Sequence, residues 1–122
     1  MAIKLNPKNN DYYNTRGYVK IKLKNYEEAI KDFDLSLQIN STENPKAKAN
    51  KGLALFELGK FIEAIKWFTN SLLIIKDDPE LLYYRGLCYL RTGNKIDACN
   101  DLRKSYSLGN SLAKEVIECS IR

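Results

Sequence analysis

The sequence predicts an all-α chain, a linear stack of three helical hairpins with a capping helix at the C-terminal end. Three observations carry that expectation. Three glycines, Gly17, Gly52 and Gly86, recur 35 and 34 residues apart, each directly after a basic residue. Behind each glycine the same columns follow: an alanine (Ala29, Ala64, Ala98), a large apolar residue (Phe33, Phe68, Leu102) and a serine (Ser36, Ser71, Ser105). Between the columns, apolar residues fall at helical spacing, as in Tyr26, Ala29, Ile30, Phe33 and Leu37, and only three prolines and six glycines punctuate 122 residues.

The elements follow in order. Ala2-Ile3-Lys4-Leu5-Asn6-Pro7 matches Ser36-Leu37-Gln38-Ile39-Asn40-Ser41, 34 residues later. Residues 1–9 are therefore expected to be the end of a preceding repeat helix, either because the chain is part of a longer array or because a truncated helix caps it. The three units are expected at 10–44, 45–78 and 79–112. First helices are expected near 11–23, 46–58 and 80–92, second helices near 27–39, 61–74 and 95–107. Pro45 and Pro79 suit a first helical position, where the missing N–H costs nothing, and Asn44 and Asp78 stand before them as N-caps. Lys24-Asn25, Gly59-Lys60 and Gly93-Asn94 supply stops, with glycine or asparagine in a left-handed C-cap. Asn110 can cap a last helix over 110–122, polar along one stripe (Ser111, Lys114, Glu115, Glu118, Arg122) and apolar elsewhere (Leu112, Ala113, Val116, Ile117, Ile121). A stack of hairpins needs such a solvated end. Gly17 and Ala29, with their equivalents, are expected where the paired helices cross closely, and Tyr13, Tyr26 and Phe33 beside that crossing.

These columns resemble the tetratricopeptide repeat (TPR) family, whose period is about 34 residues. The residues that carry the likeness are Tyr13/Lys48/Leu82, Gly17/Gly52/Gly86, Lys20/Leu55/Tyr89, Ala29/Ala64/Ala98 and Phe33/Phe68/Leu102. The departures are Arg16, Lys51 and Arg85 in place of leucine before each glycine, Lys48 in place of an aromatic, and serine where a small alanine is usual. The second helix of the third unit is the weakest match. The resemblance implies a right-handed α-α superhelix, or solenoid, whose first helices line a concave groove that takes a peptide or an amphipathic helix.

Periodicity from the glycine places the groove strip at Asn14, Tyr18, Ile21; Ala49, Leu53, Phe56; and Tyr83, Leu87, Leu90, flanked by Thr15/Asn50/Tyr84 and Lys22/Glu57/Arg91. The candidate partner-binding residues are Asn14, Tyr18, Asn50, Leu53, Tyr83, Tyr84, Leu87 and Arg91. Tyrosine suits the role because it offers a large contact area with a polar tip. Ile21, Phe56 and Leu90 are expected to pack between first helices. One TPR subclass, the chaperone co-factors, grips a C-terminal carboxylate with Lys, Asn and Arg. The corresponding positions here are Asn14, Tyr18, Asn50, Glu80 and Tyr84. Only Asn50 matches and Glu80 repels a carboxylate, so a groove of another specificity is expected.

Composition removes other classes. With no histidine, imidazole-based catalysis and Cys/His zinc sites have no basis. Cys88, Cys99 and Cys119 form neither a disulfide framework nor a C-x-x-C pair, and read as reduced thiols. No P-loop or nucleophile-elbow motif occurs, so no enzyme, cofactor or metal is expected. The net charge of +5 is spread along the chain, as +1, +2 and +2 over residues 1–45, 46–79 and 80–122. The column Arg16/Lys51/Arg85 could follow a phosphate backbone, but Asp32 and Asp101 in the facing helices favour structural pairing, which makes nucleic acid the weaker alternative. The longest apolar run, Leu72-Leu73-Ile74-Ile75, cannot span a bilayer, and with no leader visible the expected location is cytoplasmic. The partner expected is a protein or peptide, with self-association through an N-terminal stacking face, or a structural segment of a larger repeat protein, as the alternative.

Overall fold

The computed structural model describes residues 10–114. Six helices follow one another: α1 Asn10–Lys22, α2 Tyr26–Ile39, α3 Pro45–Glu57, α4 Phe61–Leu72, α5 Pro79–Arg91 and α6 Lys95–Ser107, then a 3-10 turn at Ser111–Ala113. No strand occurs among the described residues. Pro45 and Pro79 open their helices. The Asn44 side chain accepts from the Ala47 N–H, and the Asp78 carboxylate from the N–H groups of Glu80 and Leu81. The helix expected to reach residue 74 stops at Leu72. Beyond it Leu73, Ile74 and Ile75 are exposed, so no burial favours another turn.

The stops agree with expectation in two hairpins and differ in one. Gly59 and Gly93 take positive φ, at 80° and 87°. In the first hairpin it is Lys24, not Asn25, that takes the left-handed conformation, with φ 65°. Asn25 instead precedes α2 with φ −93°. The turn holds Lys24 there because Lys24 N–H bonds Ile21 C=O at 2.9 Å and Asn25 N–H bonds Lys20 C=O at 2.8 Å, which satisfies the carbonyls at the end of α1.

Each hairpin is tied at its open end by its serine. The hydroxyls of Ser36, Ser71 and Ser105 donate to the carbonyls of Asn10, Pro45 and Pro79, the first residues of the paired helices, at 3.1, 3.0 and 2.7 Å. The end of each second helix therefore lies beside the start of its first, so the pairs run antiparallel. All three serines are fully buried, and these bonds satisfy hydroxyls that would otherwise be costly there. A plain alanine column would leave the ties out.

Hairpins then stack, α2 on α3 and α4 on α5, with the first helices also adjoining one another. One apolar cluster joins Ile21, Ala29 and Phe33 to Ala54 of α3. The other joins Leu55 of α3 to Ala64, Phe68, Leu72, Leu81, Leu82 and Cys88. Ile21 and Phe56 pack as expected between first helices. Cys88 and Cys99 are both buried, and burial pushes the Cys88 thiol up to about 12. At the end of the stack, the Asn110 side chain accepts from Leu112 N–H at 3.1 Å. The remainder of the expected cap, the preceding-repeat segment 1–9 and Cys119 lie outside the described residues.

Candidate functional site

The basic column Arg16, Lys51 and Arg85 lies on α1, α3 and α5. Arg16 meets Asp32 in a two-point bridge, Nε to Oδ2 at 2.9 Å and Nη2 to Oδ1 at 2.7 Å, and Lys20 adds a contact at 3.1 Å. Arg85 repeats the fork on Asp101 at 2.7 and 2.9 Å and donates to Thr69 Oγ1 at 3.1 Å. In the middle unit Trp67 stands where the aspartate would be. Lys51 lies 4.4 Å from the Trp67 ring centroid and reaches Asp34 of the preceding hairpin at 2.6 Å. All three cations of the column are thus engaged within the fold.

The opposite edge of α1, α3 and α5 opens on a concave cavity of about 530 Å³. Tyr18, Ile21 and Lys22 line it from α1, Lys46, Ala49, Asn50 and Leu53 from α3, and Glu80, Leu81 and Tyr84 from α5. Phe68 and Ser71 of α4 stand behind them. Four of the eight expected site residues, Tyr18, Asn50, Leu53 and Tyr84, meet there. Tyr18 is 43% exposed, and the Lys22 ammonium lies 5.1 Å from its ring centroid. The Tyr84 ring stacks on Phe68 at 6.2 Å and meets Phe56 and Tyr83 edge-on at 5.3 and 5.5 Å. Burial raises the Tyr84 hydroxyl pKa, and the carboxylates of Glu80 and Glu57 raise it further against an opposing effect of Lys22.

The other four lie off the cavity. Tyr83 supports Tyr84 from the side, Leu87 is half-buried on α5, and the Arg91 guanidinium sits 5.3 Å from the Phe61 ring centroid. Asn14 differs most from expectation: it is 3% exposed rather than a hook on the groove. Its Nδ2 donates to Asn44 Oδ1 at 3.2 Å. Asn44 cannot turn its amide round, because its Nδ2 already donates to Ser36 Oγ and to the carbonyls of Ser36 and Asn40. Asn14 is therefore oriented by the cap of α3, and its Oδ1 has no donor among the described residues. It borders a smaller hollow of about 340 Å³ with Thr15, Tyr18, Lys46 and Asn50.

Lys46 and Glu80 are lining residues that the periodic strip omitted. They occupy one column, six residues before the glycine, so the strip carried one turn further toward the helix start reaches them. Phe68 and Ser71 come from α4 and Ile75 from the turn after it, and no periodicity within the first helices points to them.

Among the described residues no group of acidic or sulfur ligands could hold a metal ion, and no helix is long and apolar enough to cross a membrane. The tetratricopeptide-repeat family profile matches residues 11–43 and 45–78. A 109-residue alignment, 28% identical, relates 78% of the chain to DnaJ homolog subfamily C member 3 of Bos taurus. The chain spans 22% of that protein's length. The fold is similar to the Arabidopsis OM64 TPR domain, with TM-score 0.86 and 22% identity over 92% of this chain and 93% of that one. It is also similar to the first TPR of Spaghetti (RPAP3) bound to the HSP90 peptide SRMEEVD, with TM-score 0.85 and 19% identity over 96% and 94%. A third is the Yersinia enterocolitica secretion chaperone SycD in complex with a peptide of the translocator YopD, with TM-score 0.79 and 16% identity over 90% and 88%. The profile covers the first two hairpins and the glycine, alanine and serine contacts recur in the third, so the chain belongs to the tetratricopeptide-repeat family.

Proposed function

We propose that the chain is a protein–protein interaction module that holds a peptide or helix of a partner protein along α1, α3 and α5. The observation that carries this reading is the concave cavity of about 530 Å³, lined by the half-exposed ring of Tyr18, the Asn50 amide, the Leu53 side chain and the edge of Tyr84. Apolar floor, aromatic contact area and a few polar groups are what a recognition groove for a short segment requires. Two proteins of the same fold are seen with peptides bound, which supports the reading. The same reading takes the groove as other than a carboxylate clamp, and two positions support this: of those that subclass uses, Asn50 alone agrees, and Glu80 places a negative charge where a cation is needed. Nucleic acid draws no support from Arg16, Lys51 and Arg85, whose charges are spent within the fold.

The test combines Tyr18→Ala, Asn50→Ala and Tyr84→Phe, the last chosen to keep the ring on Phe68. Peptides are selected on the native chain from a displayed random library, and their affinities for both proteins are compared. The expected result is a loss of about tenfold or more with the circular dichroism and melting temperature kept. Undiminished affinity in a folded triple variant overturns the groove reading.

A further inference from the structure

We infer that the α5 end of the groove receives a lysine or arginine side chain of the bound segment, with Glu80 as its counter-ion. This deepens the groove reading and rests on it. Glu80 is exposed, lines the cavity and makes no ion pair among the described residues, whereas Asp32, Asp34 and Asp101 are each matched to a cation. Glu57, at the end of α3, is likewise exposed and without an ion pair, and both carboxylates act on the hydroxyl of Tyr84. Tyr84 thus stands in a negative field on the cavity wall, with Phe56 and Tyr83 against its edges. Acidic oxygens beside an aromatic cluster are complementary to a cation on a long apolar stem: the stem covers ring surface while the head meets the carboxylate.

An anion is disfavoured at the same place. The free N–H groups of a helix start would attract one, but the Asp78 carboxylate already accepts from Glu80 and Leu81 N–H at 3.0 and 3.2 Å. The groove's own cations lie on the other helices, Lys22 on α1 and Lys46 on α3, both lining the cavity. They repel a basic side chain from that side and direct it toward α5. The cavity is therefore electrically polar across its width, which sets the direction in which a segment lies as well as its composition.

The experiment uses peptides selected on the native chain from a displayed random library, then synthesised with free and amidated C termini. One position rich in lysine or arginine is expected, with equal binding of acid and amide forms. Replacing that residue by glutamate is expected to weaken binding to the native chain by about tenfold or more, as are Glu80→Gln and Glu80→Lys in the protein. Glu80→Lys is expected to recover affinity for the glutamate peptide. Circular dichroism confirms that the variants fold. Peptides that need Tyr18 and Asn50, yet show no basic position, require a free carboxylate or bind Glu80→Gln undiminished, overturn this inference and leave the groove reading standing. Selection of no peptide, or only of peptides indifferent to Tyr18 and Asn50, overturns both.

Discussion

Each glycine of the repeat sits under a ring or a branched side chain. A Cβ built on Gly17 would stand 2.6 Å from the Phe33 ring, on Gly52 2.8 Å from the Phe68 ring, and on Gly86 2.9 Å from Leu102 Cγ. Phe33, Phe68 and Leu102 are fully buried. The glycine column and the large apolar column are thus one feature, a backbone made bare so that a side chain can lie across it. In isolation, Gly52→Ala would favour the helix by roughly 1 kcal/mol. Here the added methyl must push Phe68 against a packed interior, which costs about 1–3 kcal/mol. Gly52→Ala is therefore expected to lower the urea midpoint, and a raised midpoint would show that the ring relaxes freely. The glycine spacing and the large residue beside the crossing were both legible in the sequence. Tyr13, Tyr26 and Phe33 were all expected there, and the structure decides that it is Phe33 that a Cβ on Gly17 would strike.

Between helices, the ion pairs of the hairpins act as clamps, and the outer two are built alike. Asp32 is nearly inaccessible and meets both Arg16 and Lys20. Burial alone would raise its pKa, but the hydrogen bonds and charges of Arg16 and Lys20 outweigh that and hold the carboxyl below the usual carboxylate range. A folded-state pKa held low contributes stability that is present above the unfolded-state value and is lost as pH falls through the folded one. Asp32→Asn is expected to cost about 1–3 kcal/mol at neutral pH, at the lower end because Arg16 is partly solvated. It is also expected to flatten the loss of stability on acidification. Urea unfolding from neutral to acid pH checks both, and parallel acid profiles for the two proteins would count against the clamp. The pairing of Arg16 with Asp32 and of Arg85 with Asp101 was readable from the facing helices. The middle hairpin was not, because Trp67 removes the aspartate and Lys51 finds Asp34 in a neighbouring hairpin, a contact across the stack that no spacing within one unit encodes. Asn14 escaped for a related reason: its partner, Asn44, is the last residue of its own unit, 30 positions on, and is held in place as the cap of α3.

Across the stack, α3 contributes buried residues to both apolar clusters, Ala54 to one and Leu55 to the other. In a linear array, stability is the sum of hairpin and interface contributions, so an element held on both sides opens with most difficulty. Amide exchange in α3 is expected to be slower than in α6 by roughly an order of magnitude, as read by hydrogen-exchange mass spectrometry. Uniform protection would instead mean one cooperative body. The order of six helices and part of the cavity-lining face follow from local rules: caps, proline and glycine punctuation, and 3.6-residue periodicity. Those rules act within a few residues of the chain, so a single sequence displays them. Which side chains meet depends on how one hairpin rotates against the next, and that rotation is set by packing among residues distant in sequence. Packing buried Asn14 that periodicity had left open, carried Tyr83, Leu87 and Arg91 off the cavity, and brought Lys46, Glu80 and Ser71 onto it.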